Sequence, residues 1–381
     1  MSKSTTIFIG TTKGLFLLKS ANGRDGWVLS GPHCGGWPIN HALGADGVML
    51  AGGGGDFPGA GIWRSTDEGV SWDVVKLADG EMDTWARADP EAAKIFGIDA
   101  STDPAPYSGR IKAIWSLAKA GDRIYAGAKP ATLFSSDDNG LSWQPVNSLT
   151  DHPSSDSWQP GAAGLVLHTI VSDPRSPDKI WLAISAAGVF ASDDGGASWE
   201  RRNRLGNLGP CGHTHHPAGP RDGETGHCVH SIVRAGGEED LLYQQNHHGV
   251  FRSRDGGRSW DDITEGLPST FGFPIAVHPQ KPDTIWTLPL NGDSDGRYPP
   301  DASAAVWRSR DGGDTWKACR TGLPQENCYF TVLRQAMATD PGAGLWFGTN
   351  SGSVFASFDE GDNWQELAQH LPTVLCVEAA H

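Results

Sequence analysis

Short apolar runs, each closed by a polar turn, recur along the whole chain and predict β-strands. Gly61-Ile-Trp-Arg64, Gly188-Val-Phe-Ala191, Gly249-Val-Phe-Arg252 and Ala305-Val-Trp-Arg308 each stand directly before a polar box. A second run precedes them, as in Arg123-Ile-Tyr-Ala-Gly127, Lys179-Ile-Trp-Leu-Ala183 and Leu345-Trp-Phe-Gly-Thr349. Further upstream lies a third: Ile111–Leu117, Leu167–Val171, Cys228–Val233 and Tyr329–Leu333. With the strand that follows the box, every unit holds four strands.

The box has the form Ser-x-Asp-x-Gly-x-x-Trp. It runs from Ser65 to Trp72, Ser136 to Trp143, Ser192 to Trp199, Ser253 to Trp260, Ser309 to Trp316 and Ser357 to Trp364, with a degenerate copy from Ser20 to Trp27. A short Ser or Asp side chain bonds backbone N–H groups a few residues on and holds a tight turn. Gly supplies a positive φ, and Trp lays a large apolar face back over the hairpin. The box aspartates are therefore structural. Four-stranded units of roughly 50–60 residues in series are propeller blades. Seven boxes predict an all-β, seven-bladed β-propeller with four-stranded antiparallel blades, a single domain over residues 1–381. The first unit begins on its second strand, Thr6-Ile-Phe-Ile9, so Pro372–Glu378 is expected to supply its inner strand and close the ring.

In these boxes the chain resembles the bacterial-neuraminidase-repeat (BNR), or Asp-box, propellers. That sialidase-like group, often labelled glycosyl hydrolase, also holds xyloglucanases, sortilin-type receptors and photosystem II assembly propellers. The resemblance spans nearly the whole chain and implies the fold; its members share the box and not an activity. Sialidases open on a (F/Y)-R-I-P motif. Here Gly10-Thr-Thr-Lys-Gly-Leu15 stands at that place, and sialidase activity is not expected.

Composition narrows the class. Sixteen Trp among 381 residues supply a large apolar core, and 50 Gly with 25 Pro fit a turn-rich β protein. No run approaches the ~18 apolar residues of a membrane span. A net charge of −15 disfavours nucleic acid and anionic lipid as partners. Six Cys without disulfide rhythm, and a start without an apolar leader, point to free thiols in a reducing cytoplasm.

The expected blade topology sets the boxes on one face and gathers the long crossovers 28–41, 76–110, 144–166 and 200–228 on the other. Long insertions of this kind build binding surfaces. Seven of the 14 His lie in Cys211–His230 and Gln244–His248, which the topology brings to that face. Three readings of the cluster stand. As ligands of a divalent Zn, Fe or Mn ion the candidates are His213, His215, His247 and His248, although no familiar zinc spacing is present. As acid–base groups they are His227, His230 and His168, with Asp56 and Asp293 as a glycosidase-type carboxylate pair. In the third reading these side chains only satisfy loop backbones. Cys34, Cys211 and Cys228 each lie near a His and are either nucleophiles or small buried thiols. Candidate substrate contacts are His33, Trp37, Lys129, Asn246, Arg297, Tyr298, Tyr329, Arg334 and Asn350. The function expected from this funnel is a hydrolase or lyase for a small molecule or glycan. The alternative is a non-catalytic ligand-binding or assembly scaffold. Oligomeric state is not legible.

Overall fold

In the computed structural model, which describes residues 5–21, 23–99, 101–207, 219–237 and 240–380, every intact box closes on one set of hydrogen bonds. In the fifth blade Ser253 Oγ accepts from the Gly257 N–H at 2.7 Å and donates to Asp255 Oδ1 at 2.8 Å. The Asp255 carboxylate accepts in turn from the Ser259 N–H and hydroxyl. The Ser-to-Gly bond repeats at Ser65, Ser136, Ser192, Ser309 and Ser357. Gly257 sits at φ 86°, where a side chain would be strained. The degenerate first copy keeps the turn by other means, with Ser20 Oγ donating to the Asp25 carbonyl and Trp27 Nε1 to that of Arg24.

These bonds hold charge as well as shape. Asp67 is drawn down to about 2, first by the Ser71 hydroxyl, then by the Ser71 N–H and Ser65. A carboxylate depressed on folding contributes stability that is whole above its unfolded value of ~3.9 and is lost as pH falls toward the folded one. The melting temperature is therefore expected to fall between about pH 4 and about pH 2, and Asp67→Asn to shallow that fall. Calorimetric scans across that range check it.

The chain forms seven four-stranded antiparallel sheets. In the first, Val374–Ala379 is the inner strand and pairs with Thr5–Thr11, Val377 opposite Ile9, so the last strand closes the ring onto the first. The other inner strands, in order, are Ile39–Ala45, Ala113–Ala120, Val166–Asp173, Val229–Arg234, Gly272–Val277 and Met337–Thr339. Wedges between blades are filled by aromatic side chains, with Trp181, Trp260, Trp286 and Trp346 at most 1% exposed. Box turns lean on the first hairpin turn of their own blade, as the Gly256 N–H on the Asp240 carbonyl shows. Boxes and first turns thus share a face, and the crossovers take the other.

One expectation is revised. Tyr329–Leu333 is not the inner strand of the last blade; Met337–Thr339 is. The Thr331 N–H is taken by Asn350 Oδ1 and its carbonyl by the Asn350 N–H, so the run lies along the rim unpaired with a strand. The crossover 76–110 carries two helices, Glu81–Ala88 and Pro90–Phe96. Asp89 caps the second by accepting from the Glu91 N–H, and Gly97 ends it at φ 64°. No helix among the described residues is long and apolar enough to cross a membrane.

One irregularity recurs around the ring. Six inner strands carry an extra residue at the same level, a β-bulge: Leu375, Asn40, Trp115, His168, His230 and the Phe273–Pro274 step. Bulges re-aim side chains that strict alternation would send elsewhere.

Candidate metal and substrate site

Five of those bulged positions, Leu375, Asn40, Trp115, His230 and Phe273, border one cavity of about 300 Å³ at the crossover end of the channel. The last blade supplies Leu333, Arg334 and Gln335 at the corresponding place. Gln335 Nε2 donates across the channel to the His168 carbonyl, so the seventh and fourth blades meet beneath the cavity. The sequence alternation could not announce this ring, because a bulge is one residue out of register.

On the cavity wall, Cys228, His230 and His247 place their Sγ and ring nitrogens within 4.8 Å of one another. The fifth blade alone brings them together. Cys228 enters its inner strand, His230 is that strand's bulge, and His247 sits in the next hairpin turn, its N–H donating to the Cys228 carbonyl at 3.0 Å. The His230 Nδ1 lies 2.5 Å from the Gly272 carbonyl, which fixes the proton on Nδ1 and leaves Nε2 as the lone-pair nitrogen, 3.6 Å from Cys228 Sγ. Burial, then the Arg334 charge, holds His230 well below the usual imidazole range, so it is neutral. Burial pushes the Cys228 thiol up. A neutral imidazole and a thiol at this spacing form a cluster compatible with metal coordination.

Phe271 and Phe273 form an aromatic floor against His230, with centroids 5.3 and 4.8 Å away. Arg297 and Arg334 lie over the Phe273 ring at 5.7 and 5.1 Å. Asp293 Oδ1 is 2.5 Å from Arg297 Nε.

The structure distributes the sequence candidates unevenly. His213 and His215 lie outside the described residues. His247 belongs to the cluster; His248 is buried beside it, rings 5.0 Å apart, with its N–H on Asn246 Oδ1, and is not one of the three grouped ligands. Cys228, weighed from sequence as a thiol, stands where a ligand was sought among the His. His227 turns away to Glu224, Nε2 to Oε2 2.6 Å. Both His168 nitrogens are engaged, by Thr169 Oγ1 and the Val229 carbonyl. Asn246 ties its turn to the Gly226 carbonyl and so steadies His247.

The proposed carboxylate pair does not form. Asp293 borders the cavity, whereas Asp56 is exposed and pairs with Lys112 at 2.9 Å. Lys129 ends the strand Arg123–Lys129 against Gly164, off the cavity wall. His33 closes the outer strand of the first blade, Val28–His33, which is blade and not crossover, and Trp37, within the crossover, is buried edge-on to Trp63; neither borders the cavity. Tyr298 and Tyr329 meet edge-on at 5.0 Å on the rim, outside the cavity lining. Asn350 holds Thr331, whose hydroxyl donates to the Arg297 carbonyl at 2.7 Å, so these residues set the position of Arg297. Trp115, Phe271, Phe273 and Gln335 are not among the residues singled out in the sequence.

No family model matches the chain. Over 224 residues it is 22% identical to the oligoxyloglucan-reducing end-specific xyloglucanase of Emericella nidulans, covering 51% of this chain and 25% of that protein. A xyloglucanase of Hypocrea jecorina is 21% identical over 220 residues, 58% of this chain and 23% of its own. The chain spans about a quarter of the length of these curated relatives. Among solved structures, an ancestral GH74 enzyme superposes with TM-score 0.54 at 16% identity, covering 86% of this chain and 38% of that one. The YCF48 protein of Cyanidioschyzon merolae superposes at 0.50 and 12% identity, covering 86% and 85%. These structural likenesses are likenesses of fold.

The matches correct the sialidase-like placement. The similarity runs to xyloglucanases, which the sequence reading counts within that broad group, and in fold to a GH74 enzyme, so the sialidase-like label under which the group was named does not describe this chain. The physical reason lies in the box itself: its bonds secure a hairpin, so its copies report a turn and not a lineage.

Proposed function

We propose that the chain is a hydrolytic enzyme acting on a small molecule or a sugar-sized glycan unit in this cavity, assisted by a divalent ion on Cys228, His230 and His247. The observation that carries the reading is the oriented Cys–His–His cluster on the wall of an aromatic-floored cavity. Zn–S of about 2.3 Å and Zn–N of about 2.0–2.1 Å place tetrahedral S and N ligands about 3.6 Å apart. Cys228 Sγ and His230 Nε2 stand 3.6 Å apart. Three protein ligands with a fourth position open is the pattern of catalytic zinc.

A free-thiol nucleophile is disfavoured, since burial raises the Cys228 thiol. Bound there, an ion supplies a Lewis acid and a water acidic enough to attack at neutral pH. The chain's own groups hold the ligands, dry the floor and position the substrate. Asp293 is the sole carboxylate bordering the cavity among the described residues, so two-carboxylate glycosidase chemistry lacks its partner there. The xyloglucanase matches favour a glycan, and a volume at the small end of ligand pockets favours a single unit. Five described cysteines are unpaired, which supports a reducing compartment.

Elemental analysis of the purified full chain, followed by chromogenic glycosides and esters with and without chelator, tests the proposal. About one ion per chain and chelator-sensitive turnover are expected. A metal-free protein inert to the whole panel overturns it in favour of the scaffold alternative.

A further inference from the structure

Two guanidinium groups share the Phe273 ring, yet only one is neutralised. Arg297 has Asp293 at 2.5 Å. Arg334 forms no ion pair with any described carboxylate, and its Nε is buried without a hydrogen-bond partner. Arg334 nonetheless borders the same cavity as Cys228, His230 and His247. Its charge is felt at both Cys228 and His230. With the Asp293 carboxylate held by Arg297, Arg334 feels that charge only at a distance, and a partly buried cation with no ion-pair partner among the described residues is costly unless something anionic completes it.

Resting on the reading of this cavity as the substrate site, we infer that Arg334 binds an anionic oxygen group of the substrate, a carboxylate or a phosphate, beside the Cys–His–His cluster. The planar fork offers paired N–H donors to two oxygens of such a group. The Phe271 and Phe273 faces exclude the water that would otherwise compete with it. Arg297, already held by Asp293, contributes field and not the primary contact. The substrate class is thus a small oxyacid, such as a sugar acid or sugar phosphate, and not a neutral sugar.

Calorimetric titration of the full chain with inorganic phosphate, with malonate and with glucose tests this, in zinc-loaded and chelator-treated protein. One of the two anions is expected to bind and glucose not to. Arg334→Met is expected to weaken that anion on the order of 10- to 100-fold, as loss of a charge-assisted contact does, and Arg334→Lys by less. Zinc content and melting temperature of Arg334→Met should stay at or above those of the native chain, which excludes misfolding as the cause. Preference for malonate or for phosphate separates the carboxylate from the phosphate case. Equal anion affinity in Arg334→Met and the native chain overturns the inference, as does glucose binding with neither anion bound. Arg334-dependent anion binding in a chain that takes up no zinc supports it while removing the metal reading, so the two fail separately.

Discussion

His230→Asn is expected to lose the bound ion almost completely while leaving the fold intact. The shorter amide sets its Nδ2 where the imidazole Nδ1 stands, beside Phe271 and Phe273, and can still donate to the Gly272 carbonyl. What disappears is the imidazole lone pair facing Cys228. Losing an outer-shell partner of a metal ligand lowers affinity by ~10–100-fold, and losing the ligand itself should exceed that. Competition with a chromophoric chelator measures the affinity, and Cys228→Ser should abolish the thiolate-to-metal absorption of the cobalt-loaded chain. Unchanged cobalt affinity in His230→Asn would remove this residue from the site.

Val377→Pro should unfold the ring or leave it barely stable. Val377 is wholly buried in the closing strand, opposite Ile9, and its N–H donates to the Gln335 carbonyl at 2.8 Å. Proline removes that donor, which ties the inner edge of the first sheet to the seventh blade, and leaves the Gln335 carbonyl without its partner, costing about 1–3 kcal/mol. Poorly accommodated packing at a buried site adds about 1–3 kcal/mol. Together these rival a large part of the ~5–15 kcal/mol that ordinarily separates folded from unfolded chains. Denaturant midpoints check this, with Val377→Ile as the control that keeps the N–H. The same strand lies under the cavity, since Leu375 lines it and Cys376 pairs with Gln335, so partial opening should also lower metal affinity.

The site was less legible than the fold for identifiable reasons. His247 and His230 belong to the runs that the topology assigns to one blade, and their meeting follows from a single hairpin. Cys228 gave no spacing signal, because its partners come from a bulge two residues on and from a turn across the hairpin. The signal that could have found it was its place at the entry of an inner strand, opposite the second hairpin turn. His33 lies on the outer strand of the first blade, Val28–His33, which a crossover reading of 28–41 hides, and Trp37 spends its ring on Trp63 inside that crossover. Asp56 follows a glycine run whose role is close packing: a Cβ on Gly53 would stand 1.9 Å from the Pro38 carbonyl oxygen. Its carboxylate ends at Lys112, outside the cavity.

Seven blades, their strands save the inner one of the last blade, and the closure by Pro372–Glu378 were settled by the amino-acid order alone, because a box turn is held by side chains within eight residues of one another and strand patterns are local. Which residues face the axis at the level of the cavity was decided only in three dimensions. Six bulges shift the alternation by one position, and groups from the fifth, sixth and seventh blades, far apart along the chain, meet only once the ring is closed.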